Sequence, residues 1–144
     1  MSITFREITV ENFNDCTELD ANDEGRFVAP NVYSIAESKF NTNLQLKAIY
    51  NENVMVGFIM YEINKAKKEL YIYRLMIDKK YQNKGYGKES LDLIKDISRG
   101  RGLERIKLST SKENVHGIRL YEKSGFIDSK SMKENEEVYV FELD

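Results

Sequence analysis

The spacing of apolar side chains changes period along this chain. The segments 46–50, 54–62 and 69–77 carry β-branched and aromatic residues, in part alternating with polar ones, and polar segments at 51–53 and 64–68 separate them. A period of two predicts strands, and short turns between consecutive strands predict antiparallel pairing. We therefore expect a three-stranded antiparallel meander in the middle of the chain.

Beyond Gly87 the apolar residues follow a helical period. Leu91, Ile94 and Ile97 recur every three residues, and Gly100 follows them as a stop signal. Three further elements are predicted downstream: a strand containing Ile106 and Leu108, a short helix carrying Ile118, Leu120 and Tyr121 with Gly125 just past its end, and a last strand containing Val138, Val140 and Phe141.

The N-terminal part combines one strand with two helices. Residues 3–8 alternate loosely as in a strand, and Thr9 is placed to cap a helix over 10–19. The segment 34–37 begins with Ser and ends with Glu, which is capping-box spacing and predicts a short helix towards Phe40. The complete order, β-α-α-β-β-β-α-β-α-β, predicts a mixed α/β fold.

Composition narrows the class of protein. The length of 144 residues suits one domain, and a net charge of −2 argues against a general nucleic-acid-binding surface. No apolar stretch is long enough to span a membrane, and the N-terminus lacks the pattern of a signal peptide. Cys16 is the single cysteine, so it forms no internal disulfide and no cysteine metal cluster, and its apolar spacing predicts a core position. We expect a soluble cytoplasmic protein without a metal, nucleic-acid partner or membrane partner.

The most informative segment runs from Tyr81 to Lys88, between a predicted strand and a predicted helix. Its glycines, Gly85 and Gly87, let the backbone curl towards a ligand, and four lysines make the neighbourhood basic. The first N–H groups of a helix are unpaired and attract anions, so the segment suits a diphosphate. A tight turn with a solvated lysine rim is the alternative. The spacing fits neither the dinucleotide fingerprint nor the P-loop.

Two motifs in register carry a family resemblance. Gln82-x-x-Gly85-x-Gly87 resembles the Q/R-x-x-G-x-G/A motif of the GNAT superfamily of N-acetyltransferases, and the segment 114–121 followed by Gly125 and Phe126 resembles that family's N-x(6)-Y…G-F segment. The order of elements agrees over the whole chain. The resemblance implies the GNAT acyl-CoA N-acyltransferase fold, a mixed central sheet flanked by helices, as a single domain over residues 1–144. The segments 27–34 and 73–78 look most like bacterial spermine/spermidine (diamine) acetyltransferases.

The resemblance also implies a site for acetyl-CoA as co-substrate. Backbone groups of Leu75, Met76 and Ile77 would pair with pantetheine, and Asn114 would bind the pantetheine arm unless it is only a helix N-cap. The diphosphate would lie on the loop amides of Gln82, Asn83, Lys84, Gly85, Tyr86, Gly87 and Lys88. Tyr121 would donate a hydrogen bond to the departing thiolate; its alternative is a tyrosine packed on the helix face.

The acceptor side is less defined. Many relatives carry an acidic residue where this chain has Tyr73, so Glu24, Glu37 and Glu62 are the candidate bases, each with a solvated surface carboxylate as the alternative. Possible contacts of a cationic acceptor are Glu24, Tyr33, Glu37 and Tyr73, together with Asp20, Asp23 and Tyr61; an ordinary charged loop and core tyrosines are the alternative. His116 is expected at the surface.

The expected reaction is a direct transfer of acetyl from acetyl-CoA to a primary amine, with a polyamine such as spermine or spermidine favoured. Another small amine or a peptide N-terminus is an alternative acceptor. A non-catalytic acyl-CoA sensor and a nucleotide-binding module are alternatives of other classes. A homodimer is expected by resemblance alone.

Overall fold

A computed structural model describes residues 3–22 and 30–144 of the chain. Within these ranges the elements are β1 (Ile3–Glu7), α1 (Phe13–Glu18), α2 (Asn31–Glu37), β2 (Gln45–Asn51), β3 (Val54–Asn64), β4 (Glu69–Ile77), α3 (Tyr86–Gly100), β5 (Arg105–Thr110), α4 (Val115–Lys123), β6 (Ile127–Lys133) and β7 (Glu136–Glu142). A single 3₁₀ turn, Lys79–Tyr81, joins β4 to the loop before α3.

The strands form one mixed seven-stranded sheet in the order β1-β2-β3-β4-β5-β7-β6. All neighbouring pairs are antiparallel except β4 and β5, which run parallel. A parallel pair needs a crossover connection, and α3 supplies it. The predicted meander is confirmed as β2-β3-β4, and the predicted mixed sheet flanked by helices is confirmed as well.

Each face of the sheet buries its own apolar cluster. Ile59 on β3 belongs to the larger cluster, which also receives Leu91 and Ile94 of α3. Its neighbours on the strand, Phe58 and Met60, point the other way and pack with α1 and α2. Because side chains alternate along a strand, the two helix pairs lie on opposite faces of the sheet.

The parallel pair separates partway along its length. β5 pairs with β4 only from Glu69 to Ile72, although β4 continues to Ile77. A register shift against β3 leaves Tyr73 as an extra residue, since Tyr61 pairs with Ile72 whereas Met60 pairs with Arg74. Such a bulge bends its strand. The backbone edge from Tyr73 to Ile77 therefore faces a gap.

Three sequence predictions about element boundaries are wrong. The C-terminal region contains two strands where the sequence predicts one, because the exposed β6 has an irregular register and shows no clear alternation. Helix α2 begins after Pro30, so Ser34 lies buried inside the helix and caps nothing. Thr9 closes a turn by accepting hydrogen bonds from Asn12 and Phe13, and Asn12 takes the N-cap position of the shorter helix α1.

Candidate functional site

The gap between β4 and β5 opens into a cavity of about 670 Å³. It lies between the edge of β4, the loop before α3, and helix α4. Its lining includes Leu75, Met76, Ile77, Gln82, Asn83, Gly85, Tyr86, Gly87, Lys88, Asn114 and Tyr121. Of the residues predicted for the cofactor side, Lys84 alone is absent from the lining; its side chain is exposed.

The loop before α3 presents a row of free backbone donors. No backbone N–H from Gln82 to Lys88 donates a hydrogen bond to any residue that the structure describes; the ladder of α3 starts with Glu89 N donating to Gly85 O at 3.0 Å. Asn83 and Gly85 have positive φ angles of 64° and 87°, which turn the backbone sharply here. These amides stand at the positive end of a 15-residue helix, the arrangement that binds phosphate groups.

The side chain of Gln82 holds this loop in place rather than facing a ligand. Its Nε2 donates to Ile77 O at 2.9 Å, at the end of β4, and to Ala21 O at 3.0 Å, in the segment after α1. The buried carboxylate of Asp78 reinforces the corner, because it accepts hydrogen bonds from Asp20 N and Lys80 N. The side chain of Gln82 therefore fixes the conformation of the loop, and the backbone amides of the loop are the groups that can bind a ligand.

Asn114 caps helix α4, which is the alternative that the sequence left open. Its Oδ1 accepts from Gly117 N at 3.2 Å, and its Nδ2 donates to Thr110 Oγ1 at 3.0 Å. One Nδ2–H remains without a partner among the described residues, and Asn114 lines the cavity. A cap and a ligand contact are therefore compatible in this side chain, since an amide nitrogen carries two donors.

Tyr121 lies on α4 with its ring against Phe126, at a centroid distance of 6.2 Å. Loss of solvent around its hydroxyl, with a smaller contribution from the Glu136 carboxylate, raises its pKa to about 12. The phenol is thus protonated at neutral pH and is a hydrogen-bond donor. No hydrogen bond from this hydroxyl joins it to another described residue, so the donor is available to the cavity.

The candidate acceptor residues separate into three groups. Glu24 and Asp23 lie outside the described residues. Glu37 lies near Tyr73, since Arg74 pairs with the Glu37 carboxylate and donates a hydrogen bond to Tyr73 O. Loss of solvent raises the pKa of Tyr73, and Glu62 and Glu37 raise it further. Tyr33 is 58% exposed on α2, four residues before Glu37.

Three other candidates are also placed. Tyr61 is 5% exposed within the cluster on the opposite face from Tyr73, so its assignment to the acceptor side is wrong and the core interpretation is confirmed. The carboxylate of Glu62 accepts from Asn41 Nδ2 at 3.1 Å. Asp20 pairs with Lys79 at 3.3 Å at the corner beside the loop.

Sequence reasoning missed two polar pairs near the site. Arg74 Nη2 lies 3.6 Å from Glu37 Oε1, and its Nη1 donates to Tyr73 O at 2.9 Å. Ser109 Oγ donates to Glu136 Oε1 at 3.0 Å, which places a carboxylate near Tyr121. The arginine was detectable as a lone charge within an apolar strand. The Glu136 contact was not, because it depends on the pairing of β7 with β5, which are distant in sequence.

Cys16 and His116 lie where the sequence predicts them. Cys16 is fully buried, and loss of solvent raises its pKa to about 11, so it is a core residue. His116 is exposed at the rim of the cavity. Within residues 3–22 and 30–144 no group of His, Cys, Asp and Glu is arranged to hold a metal ion. In the same ranges every helix is too short or too polar to cross a membrane.

The fold and this site define an acetyltransferase of the GNAT class. The chain matches the acetyltransferase (GNAT) family over residues 6–126 and belongs to that family. It is 31% identical over 153 aligned positions to the spermine/spermidine N(1)-acetyltransferase of Bacillus subtilis, covering 99% of this chain and 100% of that protein. It is 24% identical to the spermidine N(1)-acetyltransferase of Thermoplasma acidophilum, covering 88% and 89% of the two chains.

Solved structures agree on the fold. The spermidine N-acetyltransferase of Vibrio cholerae in complex with CoA and spermine superposes with a TM-score of 0.78 at 17% identity, covering 98% of this chain and 95% of that one. The PaiA N-acetyltransferase of Thermoplasma acidophilum in complex with coenzyme A gives 0.74 at 19% identity, covering 99% of each chain. Acetyl-CoA is the acetyl donor of this family, and the unpaired amides and strand edge around the cavity fit a phosphate-bearing, extended ligand.

Proposed function

We propose that this chain, as one domain over residues 1–144, transfers an acetyl group from acetyl-CoA to a primary amine of a polyamine. One observation carries the proposal: the loop before α3 with its free amides, the unpaired edge of β4 and Tyr121 all border one cavity. Bound acetyl-CoA supplies the activated acyl group. The amides of the loop hold its phosphates, and the edge Leu75–Ile77 orients its extended arm by main-chain hydrogen bonds.

Tyr121 stabilises the leaving thiolate by a hydrogen bond rather than by complete proton transfer. A thiol has a pKa of about 8.5, and the pKa of Tyr121 is about 12. Transfer of the phenolic proton before the carbon–sulfur bond breaks would cost about 5 kcal/mol at 1.4 kcal/mol per pKa unit. A hydrogen bond that strengthens as negative charge develops on sulfur avoids this cost.

The acceptor must lose a proton before it attacks. A primary amine with a pKa of about 10.4 is neutral in about one molecule in 10³ at pH 7, a deficit of roughly 4–5 kcal/mol. Glu62 and Glu37, two of the carboxylates that raise the pKa of Tyr73, are the candidate bases among the described residues. A water molecule between the amine and one of them would carry the proton away, since a general base acts directly or through one water.

Two observations support a polyamine as the acceptor. The full-length relative in Bacillus subtilis, at 31% identity, is a spermine/spermidine N(1)-acetyltransferase. In this chain, loss of solvent raises the pKa of Tyr73, and the carboxylates of Glu62, Glu37 and Glu134 raise it further, so negative charge lies in the neighbourhood of an aromatic ring. Carboxylates and aromatic faces are the groups that bind ammonium cations.

The release of free thiol from acetyl-CoA tests the proposal. Spermine, spermidine, butylamine and a peptide with a free N-terminus serve as acceptors, and the single cysteine is fully buried, so thiol reagents report CoA. We expect turnover with the polyamines at a KM well below that for butylamine or the peptide. Preferred turnover of the peptide would overturn the polyamine assignment. Binding of acetyl-CoA without turnover of any amine would overturn the transferase and favour an acyl-CoA sensor.

The homodimer expected by resemblance is a separate part of this proposal. Sedimentation equilibrium measures it directly: twice the chain mass of 16.8 kDa is the expected result, and the mass of one chain at all concentrations would contradict it.

A further inference from the structure

Two tyrosines on β4 form a stacked pair with a lysine over it. The rings of Tyr71 and Tyr73 lie with centroids 4.8 Å apart at an interplanar angle of 43°. Lys133, the last residue of β6, places its Nζ 4.1 Å from the Tyr71 centroid and 5.2 Å from the Tyr73 centroid. One ammonium group is therefore in cation–π distance of both rings.

The surroundings of this pair are suited to positive charge. Loss of solvent raises the pKa of Tyr73, and the nearby carboxylates Glu62, Glu37 and Glu134 raise it further. Lys133 makes no ion pair with any residue that the structure describes, so the two rings are the direct partners of its ammonium. The two rings therefore contact the ammonium of Lys133, which no described carboxylate pairs with directly.

The pair also lies next to the place of reaction. Tyr73 precedes Leu75 by two residues on the same strand, and Leu75 lines the cavity beside Tyr121. Leu75 is two residues from Tyr73 and four residues from Tyr71. At about 3.3 Å per residue, these spacings correspond to roughly 7–13 Å along β4. Tyr73 packs on the face of α1 and α2, opposite the cluster of Leu75 and Tyr121, and the gap between β4 and β5 separates the strands here. An acceptor with two or more amines separated by methylene chains would enter through this gap, react at one end and contact the rings with the other.

We propose that Tyr71 and Tyr73 form the subsite for a second, non-reacting ammonium group of the acceptor, and that the ammonium of Lys133 occupies this subsite until the acceptor displaces it. This inference rests on the proposed function. The two rings thus favour multiply charged acceptors, because only a second ammonium can take the place of the Lys133 ammonium, and Lys133 weakens polyamine binding by competing for the rings. A monoamine has no group to exchange with Lys133 and gains nothing from the subsite.

The size of the effect follows from the strength of a cation–π contact. Such a contact at an exposed site corresponds to a factor of about two to five in an equilibrium constant. Replacing Lys133, whose ammonium competes for the rings, should therefore strengthen the binding of a polyamine by about this factor. Removing one of the rings should weaken polyamine binding by a similar factor.

The experiment compares Lys133→Gln with Lys130→Gln. Both residues lie on β6 and both substitutions remove one positive charge, but Lys130 is 86% exposed and lies beside Asp128 at 3.7 Å rather than over the rings. We expect Lys133→Gln to lower the KM for spermidine about two- to fivefold and to leave the KM for butylamine unchanged. Lys130→Gln should change neither. Tyr73→Leu should raise the KM for spermidine by a larger factor than the KM for butylamine.

The results separate this inference from the proposed function. If the wild type acetylates spermidine but Lys133→Gln leaves its KM unchanged, raises it, or lowers it no more than Lys130→Gln does, the displacement of Lys133 is wrong. If no amine is acetylated, the proposed function fails, and calorimetric titration of spermidine then decides the subsite alone. Tighter spermidine binding to Lys133→Gln than to wild type supports the subsite, and equal or weaker binding overturns it.

Discussion

Gly87 and Leu120 meet where helices α3 and α4 cross. A Cβ atom added to Gly87 would lie 3.0 Å from Leu120 Cδ2, which is tighter than an ordinary van der Waals contact. Gly87 belongs to the first turn of α3, and Leu120 precedes Tyr121 on α4. Because Gly87 has no side chain, α3 and α4 approach closely here, and the first turn of α3 and Tyr121 line the same cavity.

The two glycines of the loop should respond differently to alanine. Gly85 has a φ of 87°, and an added Cβ would meet only Glu89 Oε2, at 4.0 Å, so Gly85→Ala suffers backbone strain of about 1–2 kcal/mol rather than a clash and misplaces the loop amides. Gly87→Ala needs only a small shift of a flexible leucine, and the gain in helix propensity of about 1 kcal/mol offsets it. We expect calorimetry to show a CoA affinity at least tenfold lower for Gly85→Ala, and less than threefold lower for Gly87→Ala. Equal losses in both variants would contradict this explanation.

Removal of the Gln82 side chain should loosen the corner between β4 and α3. Gln82→Ala deletes the hydrogen bonds to Ala21 O and Ile77 O, each worth about 0.5–1.5 kcal/mol, so we expect urea unfolding to show a loss of roughly 1–3 kcal/mol. Gln82→Glu keeps the shape but sets carboxylate oxygens against carbonyl oxygens, and it should lose at least as much at pH 7. A Glu variant as stable as the wild type would show that packing, not hydrogen bonding, fixes the corner.

The sequence predicted those parts of the structure that one local physical requirement determines. The meander was predictable because β2, β3 and β4 bury apolar side chains and are joined by short polar turns. The anion-binding loop was predictable because two glycines and a helix start coincide in sequence. The strand β6 was not, since it is exposed along most of its length and has no buried face to impose a period of two.

The contacts on the candidate acceptor side were not predictable from the sequence, for a related reason. Lys133 lies over Tyr71 and Tyr73 only because β7, its hairpin partner, pairs with β5 and β5 pairs with β4, and both of these pairings join segments distant in sequence. The pairing of Arg74 with Glu37 likewise depends on the bulge at Tyr73, and no local sequence pattern predicts this bulge. Local signals predict the candidate cofactor side, whereas the candidate acceptor side depends on contacts made by the tertiary fold.

The two roles of Asn114 can be separated by Asn114→Asp. Aspartate is as good an N-cap as asparagine, and Thr110 Oγ1 can donate to it instead of accepting, so the free energy of unfolding should change by less than about 0.5 kcal/mol. The variant lacks the Nδ2–H that would bind the pantetheine arm. We therefore expect a CoA affinity about tenfold lower in calorimetry. Unchanged affinity with unchanged stability would leave Asn114 as a cap only.

The thiol of Cys16 should be inert in the folded protein. Its side chain has a solvent accessibility of 0%, and loss of solvent raises its pKa to about 11. Because the thiolate is the reactive form, iodoacetamide at about pH 8 should leave the native chain unmodified and alkylate it once urea unfolds it. Mass spectrometry measures the adduct, and rapid alkylation without denaturant would contradict the buried position.

Tyr121→Phe should slow the chemical step without weakening cofactor binding. The variant loses a hydrogen bond to a developing thiolate, worth about 1.5–3 kcal/mol, so we expect kcat to fall roughly 10- to 150-fold while the affinity for CoA stays within twofold. With a pKa of about 12, Tyr121 keeps its proton throughout the range pH 7–10, so the shape of the kcat profile there should be the same in both proteins. Tyr139→Phe is the matched control, since Tyr139 is buried in the same apolar cluster and is not among the residues lining the cavity. If Tyr121→Phe keeps the full wild-type rate at every pH, Tyr121 is excluded as the donor to the leaving group, and an equal loss in Tyr139→Phe would attribute the effect to packing.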